Sequence, residues 1–193
     1  MEHRQYDRRA IHLDAVSAWS KEVESDDGSV MYMAAEARQL GLPAPEQKPG
    51  ARAITWVTRL HAYEAHWLSA GRPPREHTRD LSTLPAWERR LGEWARYQRR
   101  FERELAAFQR ERLDRSPAFV WDPNEASWDK ALNEAIRIVV SQGRLPYLNG
   151  ADRTEFALAR WLGRQLRLRK VGALSARRET LLDALLSLAR SAR

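Results

Sequence analysis

The chain is 193 residues long, 43% hydrophobic and free of cysteine, so disulfide frameworks, thiol nucleophiles and cysteine-bearing zinc sites are excluded and the fold rests on packing alone. A formal net charge of +7 favours polyanionic partners such as DNA or RNA. No apolar run approaches the roughly 20 residues a membrane helix needs, and no apolar core follows the charged opening Met1-Glu2-His3-Arg4, so a cytoplasmic protein with no membrane partner is expected.

Ile11, Ala15, Trp19 and Val23 recur every fourth residue and predict a helix over 6–24, stopped by Ser25-Asp26-Asp27-Gly28. Ser29 is a candidate cap for a second helix over 30–40, with Gly41 at its C-terminal stop. Pro43, Pro45 and Pro49-Gly50 then mark a linker, which places a boundary near 45–52.

From there the chain repeats. Trp56, Gly71, Arg72 and Pro74 recur as Trp128, Gly143, Arg144 and Pro146, each 72 residues later. Leu91, Trp94, Gln98, Arg100 and Arg110 recur as Leu158, Trp161, Gln165, Arg167 and Arg177, each 67 residues later, so the first copy holds five extra residues, within the polar stretch 75–83. In copy one, Trp56, Leu60, Tyr63 and Trp67 form one apolar helix face ended by Gly71, and Trp87, Leu91, Trp94, Gln98, Phe101, Leu105 and Phe108 form a second seam. Copy one lacks the Gly-x-Leu break that copy two carries as Gly172-Ala173-Leu174 before its third helix, so helices two and three of copy one are read as able to run on as one rod. In copy two Trp128, Leu132, Ala135 or Ile136, and Val139 are followed by Gly143; Asp152 and Glu155 have capping-box spacing ahead of Leu158, Trp161, Gln165 and Leu168; Ser175 caps a last helix burying Leu181, Leu182, Leu185 and Leu188. The expected fold is all-α: two tandem three-helix repeats, 51–121 and 122–193, after an acidic helical N-terminal segment, 1–50.

These residues resemble the helicase-associated domain, a small three-helix module found in tandem at the ends of bacterial superfamily 2 helicases. The resemblance rests on Trp56, Gly71-Arg72-Pro73-Pro74, Leu91-Gly92-Glu93-Trp94, Gln98-Arg99 and the junction Trp121-Asp122-Pro123, and in copy two on Trp128, Gly143-Arg144-Leu145-Pro146, Trp161, Gln165 and Gly172-Ala173-Leu174. It covers about 56–193, departs from the family at Gln165-Leu166, and includes no Gly-x-x-x-x-Gly-Lys phosphate loop, so no motor is implied. What it implies is nucleic-acid binding.

Charge distribution points the same way. Residues 1–50 carry six basic against nine acidic side chains, 51–121 fourteen against nine, and 122–193 thirteen against eight. The candidate phosphate contacts are Arg72, Arg89, Arg96, Arg99, Arg100 and Arg103 in copy one and Arg144, Arg160, Arg167 and Lys170 in copy two, with duplex DNA placed ahead of single strand and RNA. Two other readings stand beside this one: a solvated face whose cations pair with Glu93, Glu102 and Glu104, and, for Arg72 and Arg144, a structural role in the turn. Trp56, Trp94, Trp128 and Trp161 are expected in the core, Trp87, Tyr97 and Tyr147 are less committed, and Gln98 and Gln165 are expected to satisfy helix-end or turn backbone. His61 and His66, five residues apart, miss the one-face spacing of a His-Glu-x-x-His zinc site; no catalytic constellation, metal site or cofactor is expected. The alternative to nucleic-acid binding is a helical protein-interaction module that docks a protein through the N-terminal segment.

Overall fold

The computed structural model describes residues 6–22, 26–76 and 83–192. Its regular elements are helices: α1 (Arg8–Glu22), α2 (Asp27–Gln39), α3 (Ala51–Ala70), α4 (Ala86–Arg100), a 3₁₀ turn (Glu102–Glu104), α5 (Ala107–Asp114), α6 (Pro123–Gln142), α7 (Arg153–Lys170) and α8 (Ala176–Ser191). The fold is all-α, with no strand among the described residues. Val23 and residues 77–82 of the five-residue insertion region lie outside the described residues.

The helices form two compact units, Met1–Trp121 and Asp122–Arg193. Both contain a helical hairpin built the same way. In the first unit α3 buries Trp56, Val57, Leu60 and Tyr63 against Leu91 and Trp94 of α4; in the second, α6 buries Trp128, Leu132, Ala135 and Val139 against Leu158 and Leu162 of α7. Each first helix ends on a left-handed glycine, Gly71 (φ 65°) or Gly143 (φ 67°), whose N–H donates to the carbonyl of Trp67 or Val139 at 2.9 Å. A side chain with a Cβ pays about 1–2 kcal/mol for that conformation, which explains why the motif needs glycine there.

Two side-chain pairs lock both hairpins. The indole N–H of Trp56 donates to Gln98 Oε1 at 2.9 Å, and that of Trp128 to Gln165 Oε1 at 3.0 Å. The buried amides thus accept from tryptophan, and the one backbone group met among the described residues is inside α4, where Gln98 Nε2 donates to the Trp94 carbonyl at 3.3 Å. The arginine after each glycine reaches a carboxylate at the start of the second helix: Arg72 Nη1 donates to Glu88 Oε1 at 2.8 Å, and Arg144 pairs with Glu155. Glu88 also accepts from the Arg75 N–H at 3.0 Å; Glu155 also accepts from the Tyr147 N–H at 3.4 Å and Asn149 at 3.2 Å. Glu155 therefore does not close a reciprocal capping box with Asp152, although Asp152 caps α7 by accepting from the N–H groups of Thr154 and Glu155.

The third helices differ. In the second unit α8, capped by Ser175, lies along α6 and buries Leu182, Leu185 and Ala189; Leu181 is half-buried and Leu188 exposed. Its Arg177 pairs with Glu125 and Asp129 at 3.0 Å. In the first unit the helix packed along α3 is α2, and the short α5 packs on α1 and α2. The continuous rod is not formed: α4 stops at Arg100, and α5 starts after the 3₁₀ turn. Nor do residues 1–50 stand apart. Trp19 and Ala15 of α1 pack on Phe108 of α5, so the prolines at 43–49 form a connection inside one unit.

What ties this unit together is a buried charged network. Arg112 of α5 donates from Nε to Glu36 (2.8 and 3.0 Å) and from its two terminal nitrogens to Glu64 (2.9 and 3.2 Å). Glu36 also accepts from His12 Nδ1 and His61 Nε2, both at 2.9 Å, and Glu64 from Ser116 Oγ at 2.8 Å and Arg8 Nε at 3.2 Å. A carboxylate only accepts, so both imidazoles point N–H groups at Glu36. Ser29, expected to cap its own helix, instead accepts from the Phe108 N–H at 2.9 Å, and Asp26 caps α2.

Candidate nucleic-acid interface

The ten cations expected to meet phosphate divide sharply. Arg72 and Arg144 belong to the hairpin turns, each held by a buried glutamate, so the structural reading of that pair prevails. Arg72 in turn holds the Glu88 carboxyl below its ordinary value despite burial, and Arg144 does the same for Glu155. Arg99 is also committed inward: it donates to the Val120 carbonyl at 2.6 Å and Glu76 at 2.5 Å and lies 5.0 Å from the Phe119 ring centroid. Those three are scaffold.

The other seven have no carboxylate partner among the described residues. Arg89 and Arg96 on α4 are half-buried, whereas Arg100 and Arg103 are exposed. Glu93, Glu102 and Glu104 make no ion pair with any of them. On α7, Arg160, Arg167 and Lys170 are exposed, and so are Arg153 and Arg164, which the repeat comparison passed over because α4 has Ala86 and Tyr97 at the equivalent positions. Arg153, Arg160, Arg164 and Arg167 follow one another at intervals of seven, four and three residues, which on a helix is a single straight column about 21 Å long. The helix's one carboxylate, Glu155, is turned inward to Arg144. Arg169 points elsewhere, to Asp183 at 2.7 Å. The signal for Arg164 is its position four residues after Arg160, one helical turn on, legible without any repeat.

The second candidate surface is a groove of about 1470 Å³ between α3 and α4. Its floor is Trp56, Leu91 and Trp94; Arg52 and Arg59 stand on the α3 rim, and Trp87, Arg90 and Tyr97 on the α4 rim. Trp87 and Tyr97 are 52% and 51% exposed, unlike the core indoles Trp56, Trp94 and Trp128. Arg52, Arg59 and Arg90 make no ion pair with a described residue, while Glu93 and Glu104 also face the groove. His66 lines it, 8% exposed, its Nε2 without a hydrogen-bond partner and 3.9 Å from Glu88. Burial pulls its pKa below the ordinary histidine value, so the ring is neutral at neutral pH. In the second unit Tyr147 and Phe156 are the exposed aromatics among the described residues, and Tyr147 has the Arg144 guanidinium 4.4 Å from its centroid.

The His61-x-x-Glu64-x-His66 string is not a cluster: His61 donates to Glu36, Glu64 is bound by Arg112, and His66 faces Trp87, with ring centroids 5.2 Å apart. No described helix is long and apolar enough to cross a membrane. No protein-family model, curated protein or solved structure matches the chain.

Proposed function

We propose that this chain is a nucleic-acid-binding protein without catalytic activity, which grips the phosphate backbone of DNA or RNA through basic helices, α7 foremost. The observation that carries the reading is the column Arg153, Arg160, Arg164 and Arg167: four exposed guanidinium groups in line, none of them in an ion pair with a described residue. Surface cations with no function are ordinarily interspersed with acids, as Arg177 is with Glu125 and Asp129; a long uncompensated column is an arrangement that self-repels unless a polyanion lies along it. The hairpin locks built from Trp56, Gln98, Arg72 and Glu88 and from Trp128, Gln165, Arg144 and Glu155 are compatible with the helicase-associated resemblance. That assignment belongs to the same proposal.

Backbone contacts release counterions, so affinity falls with salt at about 0.9 log units per log unit of salt for each duplex phosphate neutralised. Four column arginines correspond to a slope of about 3.6 on that scale. The triple variant Arg160→Glu/Arg164→Glu/Arg167→Glu is expected to weaken binding of labelled duplex DNA across unrelated sequences and flatten the salt dependence. Fluorescence anisotropy reads both quantities. Unchanged affinity in a variant with an unchanged melting temperature would remove α7 from the interface.

A further inference from the structure

We infer that the groove between α3 and α4 is a seat for single-stranded nucleic acid, with bases stacking on Trp87 and Tyr97 and the sugar-phosphate backbone running past Arg52, Arg59 and Arg90. The inference rests on the nucleic-acid reading above and adds a strand preference that the α7 column does not supply. Three observations meet in this groove. Its α3 rim is cationic: Arg52 and Arg59 are seven residues apart, hence on one helix face, and neither has a partner among the described residues. Its α4 rim is aromatic, with the rings of Trp87 and Tyr97 about half in solvent and Arg90 between them along the helix.

The third observation is His66. Its ring lines the groove beside Trp87, and its buried Nε2 makes no hydrogen bond and has the Glu88 carboxylate 3.9 Å away, so the wall here is polar and not apolar. The volume of about 1470 Å³ exceeds the 300–1,000 Å³ of ordinary small-molecule sites, as a polymer track does. Trp87 and Tyr97 are ten residues apart on α4, about 15 Å of rise, which is longer than one nucleotide step, so the two rings take bases that are not immediate neighbours on an extended strand. A duplex cannot use these rings, because its bases are stacked on one another. Glu93 and Glu104 at the rim repel a strand that strays from the α3 side.

The test uses the full chain, a fluorescein-labelled thymidine 12-mer and a duplex of the same length, each titrated by anisotropy at fixed salt. Trp87→Ala/Tyr97→Ala is expected to lose about tenfold or more in affinity for the single strand and to change duplex affinity little. Trp87→Phe/Tyr97→Phe keeps the rings and is expected to retain most of the single-strand affinity, which separates stacking from an effect on folding. Arg59→Glu is expected to weaken the single strand more than the duplex. If the alanine pair binds the 12-mer as tightly as the parent while the α7 triple variant loses both ligands, the groove assignment fails and the backbone-gripping reading stands. If the parent chain binds neither ligand at low salt, both fail together.

Discussion

Arg112 is among the most deeply buried side chains of the first unit, and its guanidinium meets two carboxylates that are themselves fully buried. Such an arrangement is stable only while complete, because removing one partner strands the others without water. Arg112→Ala is therefore expected to destabilise the first unit by about 3–5 kcal/mol, read as a lowered urea midpoint, whereas an exposed cation such as Arg103 should change little when truncated. Glu36 makes the same network sensitive to acid. Burial alone would raise its pKa, but hydrogen bonds from His12 and His61 and the charge of Arg112 outweigh that and hold the carboxyl at about 2, below its ordinary 4.5. A depressed folded value means that Glu36 contributes its full stabilisation above about pH 4.5 and loses it as pH falls towards about 2. Urea midpoints across that window should fall more steeply for the parent chain than for Glu36→Gln; parallel curves would show that another group governs acid unfolding. None of this was legible in the sequence. His12, Glu36, Glu64 and Arg112 sit up to 100 residues apart, and in a chain this rich in charge nothing local separates a buried arginine from a solvated one.

Elements were read with more success where their signals are local. Gly71 and Gly143 end α3 and α6, Asp152 and Ser175 cap α7 and α8, and the Asp122-Pro123 pair proves to be a cap followed by a first-turn proline at the start of α6, with Asp122 accepting from the Asn124 and Glu125 N–H groups at 2.9 Å. The errors fall where a terminus is set by a distant residue. The α4–α5 break carries no glycine, and Ala106 at the start of α5 has no side chain to cap it. The cap arrives from α2, through Ser29 to the Phe108 N–H. Ser29→Ala should consequently cost about 0.5–2 kcal/mol and loosen a helix 79 residues away: backbone hydrogen exchange should accelerate in α5 while α2, capped by Asp26, keeps its protection. Faster exchange confined to α2 would mean that the capping bond has been assigned to the wrong helix. The same logic explains the candidate interface. Arg72, Arg99 and Arg144 look like their neighbours as letters, and only the fold shows that glutamates and a carbonyl claim them, leaving Arg160, Arg164 and Arg167 open.

At the level of the whole molecule, the repeat offsets locate both hairpins but misassign what covers them. The acidic first quarter reads as an appendage, available to shield a basic face or to dock a partner. In the structure its α1 and α2 supply His12, Ser29 and Glu36 to the interior of the first unit. Deleting residues 1–50 is therefore expected to unfold that unit, with loss of tryptophan-region ellipticity and a changed melting profile, and not to yield a tighter nucleic-acid binder. A folded deletion variant with increased affinity would restore the shielding idea.

The two tryptophan-glutamine bonds have one more consequence. Each places a single indole proton inside one unit, held by a buried amide, Gln98 or Gln165. Trp56 and Trp128 are thus two internal clocks: the exchange of each proton with deuterium dates the opening of its own unit, and a ligand that binds only one hairpin will slow one clock and leave the other running.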